Sequence, residues 1–182
     1  MYSKKNLRKK FIFLRKKRYF SVNKNFFKPL FKKFKLKKKV NISLYYPSNF
    51  EVDTYFLFEM IEKRRNLFTA LPKIMPNGNM KFVKWKYFDP LKVNKYGFLE
   101  PINDTKNITP DIMVVPLLAF DRFNNRLGYG KGYYDKFILK QKKKRRKFLT
   151  IGLAFSFQKY KKIPISKYDI KLNYILTEKG LY

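Results

Sequence analysis

Cysteine and histidine are both absent from the 182 residues. Thiol nucleophiles, disulfide frameworks, Ser-His-Asp triads and ordinary zinc sites are thereby excluded. Acids are scarce: 12 Asp and Glu stand against 44 Lys and Arg, a formal charge of +32. Long apolar runs are missing too. None approaches the roughly 20 residues that cross a bilayer, so no membrane partner is expected. The longest run near the start, Phe11–Leu14, is far short of the roughly 7–15 residues of a secretory signal. Met1–Phe20 is basic and free of acids, a pattern shared with mitochondrial presequences, but it is taken here as a retained first helix of a cytoplasmic protein.

What is present is apolar bulk, 45% of the chain with 20 Phe and 14 Tyr. That is enough to bury a core and argues against disorder throughout. The remaining functional groups are carboxylates, amines, guanidinium groups, hydroxyls and backbone N–H groups, a set suited to Mg²⁺ and phosphate chemistry. The excess of Lys and Arg raises the alternative of a basic RNA-binding protein without catalytic activity. The charge is spread along the chain, however, and Lys, Asn, Phe, Ile and Tyr all have A/T-rich codons. Compositional drift therefore explains it at least as well, and no specific nucleic-acid partner is expected. The run Lys32–Lys39 is the best local patch if one exists.

Periodicity predicts a helix over Lys4–Arg18 and a second one capped by Ser21, with Pro29 kinking or ending it. A strand is expected over Val40–Tyr46 and a helix from Asp53 or Thr54 to about Arg65. Further strands are expected at Leu67–Leu71, Met80–Trp85, Ile112–Val115, Phe148–Phe155 and Tyr174–Thr177. Tyr87–Pro110 reads as loop, Asp121–Gly130 as a second loop, and Gly132–Gln141 as a helix. This alternation predicts one α/β domain over residues 1–182, with a mainly parallel sheet flanked by helices on both faces.

Chemistry concentrates in Ile112–Phe137. A buried strand ends there, a loop follows, and a helix begins, which is where open α/β sheets bind ligands. Gly128, Gly130 and Gly132, three of the seven glycines, alternate in front of that helix. Their backbone N–H groups and the helix N-terminus make an anion cradle. Arg126 and Lys131 flank it, and Asp135 is placed one turn into the helix, to hold Mg²⁺ or to favour the helix dipole. The spacing is neither a Rossmann fingerprint nor a Walker A loop.

The wider stretch VPLLAFDRFNNRLGYGKGYYDKF resembles the signature of the 5-formyltetrahydrofolate cyclo-ligase (5,10-methenyltetrahydrofolate synthetase) family. Lys4–Arg8, Ile42–Thr54, Tyr96–Pro101 and Ile151–Phe155 resemble further segments of that family, in order along the chain. The resemblance implies a ligase of one-carbon metabolism, expected as a monomer acting on a reduced folate and ATP with Mg²⁺. It implies ATP contacts from Lys4, Lys5, Asn6, Leu7 and Arg8. A second set would come from Arg126, Leu127, Gly128, Tyr129, Gly130, Lys131, Gly132, Tyr133 and Tyr134. Arg126 and Lys131 would be catalytic. Glu51 would hold the folate, with Tyr46 and the segment Tyr129, Gly130, Lys131, Gly132 and Tyr133 lining the same pocket. Asp135 and Asp169 would hold Mg²⁺. Against the family pattern, Leu117 stands where Gly is usual, Tyr168 where His is common, and Asn173 where an acid is common. A different nucleotide-dependent enzyme on the same scaffold is a third reading, since fold does not fix function.

Overall fold

The computed structural model describes residues 3–36, 38–102, 107–144 and 147–182. Lys37 of the lysine run and residues 103–106 of the Tyr87–Pro110 stretch thus lie outside the described residues. Helix α1 spans Lys4–Arg18 and α2 Lys24–Lys33, followed by strand β1 at Val40–Ser43, helix α3 at Tyr55–Glu62, and strands β2 at Leu67–Ile74 and β3 at Met80–Lys84. Short strands β4 (Leu91–Val93), β5 (Leu99–Pro101) and β6 (Asn107–Ile108) precede β7 at Ile112–Pro116. Strands β8 (Ala119–Phe120) and β9 (Arg126–Leu127) lead to helix α4 at Tyr133–Lys143, and β10 (Leu149–Leu153), β11 (Tyr174–Thr177) and β12 (Gly180–Leu181) complete the order.

Eight strands form one sheet in the order β12-β11-β10-β7-β1-β2-β3-β6. The central run β11-β10-β7-β1-β2 is parallel, and the edges are antiparallel. This is the expected mainly parallel α/β sheet, and it has helices on both faces. On one face Phe27 and Leu30 of α2 and Phe58 and Ile61 of α3 pack with Ile42, Leu71, Val114 and Leu153. On the other, Ile138 of α4 packs with Ala70, Met113, Val115 and Ile175. Helix α1 covers neither face. Its Leu7 and Phe11 bury against Leu118, Ala119, Leu127 and Ile163, at the end of the sheet where β7 runs out. The chain leaves β1 toward β2 on one side and leaves β7 toward β10 on the other. The carboxyl ends of β1 and β7 therefore form a topological switch point, the place where such sheets hold ligands.

Local chemistry explains the departures from the sequence expectations. Asn23, not Ser21, caps α2: its side chain accepts from Asn25 N. Pro29 lies inside that helix without ending it, because the buried stripe Phe26, Phe27 and Leu30 outweighs one lost backbone bond. Asp53 Oδ1 accepts from Tyr55 N at 2.8 Å and so supplies the cap of α3, although Thr54 holds the cap position. The Tyr87–Pro110 stretch is not merely loop. Its β4 and β5 form a hairpin, closed where Asn94 Oδ1 accepts from Tyr96 N and Phe98 N. Glu100, buried, docks the hairpin by accepting from Ile74 N at 3.2 Å. These strands are too short to show alternation. The expected loop Asp121–Gly130 likewise contains β9, paired antiparallel with β8.

Candidate functional site

A cleft opens at the switch point, between the segments that follow β1 and β7, the wall of β2 and β3, and the β4–β5 hairpin. Its buried end is built by the turn after β1. Asn49 and Phe50 both take positive φ, 48° and 60°, a conformation costly for a bulky residue and concentrated at functional sites. The turn returns Glu51 under Ser48, whose N–H donates to Glu51 Oε2 at 3.0 Å. The Tyr129 hydroxyl donates to Glu51 Oε1, and the Arg15 guanidinium stands 3.9 Å from the same oxygen. Burial pushes the Glu51 carboxyl above its ordinary range, while Arg15, Tyr129 and Ser48 pull it back. Burial also raises the phenols of Tyr45, Tyr129 and Tyr134, so they remain neutral donors. The Tyr134 hydroxyl is buried and has no hydrogen-bond partner among the described residues, although the residue lines the cleft.

The other wall is the β8–β9 hairpin and the glycine loop behind it. Buried Asp121 shapes the hairpin by accepting from Phe123 N, Asn125 N and Ile163 N. Arg126, on β9, donates to Asp135 Oδ1 at 2.8 Å, and Asp135 Oδ1 also accepts from Ile170 N at 3.1 Å. Arg8 reaches across from α1 and donates from Nε to Gly128 O at 2.9 Å. Gly130 shows why glycine is needed: its φ is +105°, and a Cβ there would sit 3.2 Å from Arg8 Cζ. Gly132, at φ +70°, turns the chain into α4. Lys4 pairs with Asp169. Burial works against the Asp169 carboxylate, yet Lys4 and Ser166 hold its pKa below the usual range. Lys131 lies at the rim, its Nζ 5.1 Å from the Tyr96 ring centroid, and the Tyr133 ring is 5.9 Å from Tyr96.

The structure brings together Lys4, Arg8, Tyr46, Glu51, the whole run Arg126–Asp135 and Asp169. It does not bring in Lys5, Asn6 or Leu7. Lys5 and Asn6 are exposed outside the cleft, and Leu7 is a core residue 1% exposed. A helix turns about 100° per residue, so consecutive residues cannot all face one ligand. Sequence reasoning missed Arg15, Ser48 and the apolar wall of Pro72, Ile74, Met80 and Leu99. Only Arg15 carried a signal: a cation seven residues after Arg8, on the same helical face.

Comparisons with known proteins identify the family. The model of the 5-formyltetrahydrofolate cyclo-ligase family matches residues 2–178. The chain belongs to the 5-formyltetrahydrofolate cyclo-ligase family. It is 30% identical over 142 residues to the 5-formyltetrahydrofolate cyclo-ligase of Haemophilus influenzae, covering 75% of each chain. Over 133 residues it is 32% identical to the Escherichia coli enzyme of that name, covering 70% of this chain and 71% of that one. The solved 5,10-methenyltetrahydrofolate synthetase of Aquifex aeolicus superposes with a TM-score of 0.73 at 30% identity, over 98% of this chain and 91% of that one. The Mycoplasma pneumoniae synthetase gives 0.73 at 25% identity, over 96% and 98%. The chain is thus a ligase of folate one-carbon chemistry with ATP as co-substrate, and the RNA-binding alternative is without support.

The three departures from the cyclo-ligase pattern have structural explanations. Leu117 is buried, and its Cδ2 fills the space beside Gly152, where a Cβ would lie only 2.5 Å away. Asn173 Oδ1 accepts from both the N–H and the hydroxyl of Thr150 at 2.9 Å, tying the approach to β11 onto β10. Tyr168 is 62% exposed and does not line the cleft, unlike Asp169 beside it.

Proposed function

We propose that this chain spends ATP to close 5-formyltetrahydrofolate to 5,10-methenyltetrahydrofolate in the cleft at the switch point. In that reaction the γ-phosphoryl group passes from ATP to the formyl oxygen, and ADP departs. The second folate nitrogen attacks the activated formyl carbon. The carbon–oxygen bond then breaks as inorganic phosphate leaves. The observation that carries this reading is that one cleft holds a buried carboxylate, Glu51, and an arginine-flanked glycine loop, Arg126–Gly132.

In this reading Lys4, Arg8 and Arg126 hold the triphosphate together with the loop backbone, and Lys131 attends the γ-phosphate from the rim. Such chemistry rests on positioning and fixed positive charge more than on a histidine base. Glu51 accepts paired N–H donors from the pterin end of the folate, a strong charge-assisted arrangement. Tyr46, Tyr129, Tyr133 and Tyr134 shape the pocket around it. Asp135 and Asp169 suit Mg²⁺. The described residues hold no cluster of three or more carboxylates, but Mg²⁺ takes one or two beside phosphate oxygens and water. Among the described residues, the bonds that each carboxylate accepts fall on a single oxygen, Oδ1 of Asp135 and Oδ2 of Asp169, which leaves the other for a cation. Bound there, Mg²⁺ would neutralise charge on the transferring phosphoryl group. The reading also takes the enzyme as a cytoplasmic monomer without a specific nucleic-acid or membrane partner. Among the described residues, no helix is long and apolar enough to cross a membrane.

The test is a spectrophotometric assay of purified protein for methenyl absorbance. The band is expected with 5-formyltetrahydrofolate, ATP and Mg²⁺ together and with no pair of them. Folded protein that gives no band under saturating conditions overturns the reading.

A further inference from the structure

Arg15 is 1% exposed, yet its Nε and Nη2 have no hydrogen-bond partner among the described residues. Its Nη1 makes one weak bond, to Leu117 O at 3.4 Å. A buried arginine so poorly bonded needs another reason to be there. The neighbours supply one. Its guanidinium lies 5.4 Å from the centroid of the Tyr129 ring and 3.9 Å from Glu51 Oε1. Tyr129 in turn donates to that same oxygen. Arg15 thus meets the Glu51 carboxylate by charge and lies against the ring of Tyr129, the side chain that donates to it. It lies outside the cleft lining, whereas Glu51 and Tyr129 lie on it.

We propose that Arg15 is a positioning residue of the folate site, keeping the buried Glu51 carboxylate ionised and its Tyr129 donor in place without touching substrate. The inference rests on the reading of Glu51 as the folate carboxylate. The groups facing Glu51 come from every neighbouring element: Arg15 from α1, Tyr45 and Ser48 from the segment after β1, Tyr129 from the glycine loop, and Tyr134 from α4. Of these only Arg15 is a cation. Burial drives the carboxyl toward its neutral form, and Arg15 is the strongest influence in the other direction. A protonated carboxyl would accept paired N–H donors poorly, so losing Arg15 should weaken folate binding while sparing ATP.

The experiment compares Arg15→Met, Arg15→Lys, Glu51→Gln and the double variant Arg15→Met/Glu51→Gln with the unaltered chain. The infrared band of a protonated carboxyl is read on ligand-free protein from pH 6 to 9, and the KM values for folate and ATP are measured over the same range. In Arg15→Met a protonated-carboxyl band is expected at pH 7 that is absent from the unaltered chain and from the double variant. Once the carboxyl pKa exceeds the assay pH, folate KM should rise about tenfold for each further unit of displacement, and recover as pH rises. ATP KM should stay unchanged, and Arg15→Lys, which keeps the charge, should behave like the unaltered chain. If Arg15→Met does not fold, the neutral Arg15→Gln takes its place. No band and a flat folate KM overturn the proposal, as does an Arg15→Lys variant as impaired as the neutral one. A band in Arg15→Met together with an unchanged folate KM in Glu51→Gln overturns the folate reading of Glu51, and Arg15's positioning role with it.

Discussion

Asp135 has two roles in the cleft that a single substitution can separate. It pairs with Arg126 and accepts from Ile170 N, and it is the proposed partner of Mg²⁺. Asp135→Asn keeps the shape and one acceptor but loses the charge. As a structural partner alone, its loss should cost about 1.5–3 kcal/mol, the worth of a hydrogen bond to a charged group, and leave the Mg²⁺ requirement of turnover where it was. As a metal ligand, its replacement should move the half-saturating Mg²⁺ concentration up by at least about tenfold, roughly 1.4 kcal/mol of binding. A Mg²⁺ titration of initial rate on folded Asp135→Asn distinguishes the two, and an unmoved midpoint removes the metal role. The sequence could place Asp135 in the first turn of α4, but its partner Arg126 nine residues earlier became visible only with the β8–β9 hairpin in place.

Helix α1 divides its labour by face. Leu7 and Phe11 anchor it on the β8–β9 hairpin, while Lys4 and Arg8 reach the cleft. Removing the first eight residues would therefore strip Leu7 from the core as well as two of the cleft's cations, and point substitutions separate the effects. Phe11→Ala should lower stability by about 3–5 kcal/mol, as truncation of a buried aromatic does, seen as a lowered urea midpoint. Arg8→Met should lower that midpoint less, by at most about 1.5–3 kcal/mol of stability for its bond to Gly128 O, and raise ATP KM about tenfold to hundredfold, the loss of one charge-assisted contact. An unchanged ATP KM in Arg8→Met would take α1 out of the nucleotide site. The periodicity of Leu7, Phe11 and Leu14 made this helix legible from sequence. The β4–β5 hairpin was not, because three-residue strands carry no period, and what holds them is Asn94 and Glu100 bonding across the hairpin and onto β2.

Over the whole molecule, the charge of +32 sets behaviour without setting function. Part of it is spent in the cleft, where Lys4 and Arg126 pair with acids. The rest is spread along the chain, and some of it lies on exposed helix faces such as Lys9, Lys10, Lys16 and Lys17 of α1. A surface of that kind attracts polyanions by counterion release. RNA affinity is expected to be independent of sequence and to fall steeply between low and physiological salt. A sequence preference that persists at high salt, measured with several RNAs, would require a second function.

The sequence by itself determined the chemistry available and the order in which it is laid out. Lacking thiols and imidazoles, the chain is confined to carboxylates, cations and backbone N–H groups. Local periodicity then marks most of the long elements, and glycine spacing marks the loop. These are properties of neighbours in the chain, so they can be read from it. Tertiary structure alone decided which of the marked residues meet. It drew Glu51 to Tyr129 across 78 positions and Arg8 to Gly128 across 120. It also turned Lys5 and Asn6 to solvent and buried Arg15 behind the site. Those outcomes follow from parallel strands switching direction at β1 and β7 and from one helical face being buried, and neither leaves a local trace in the order of residues.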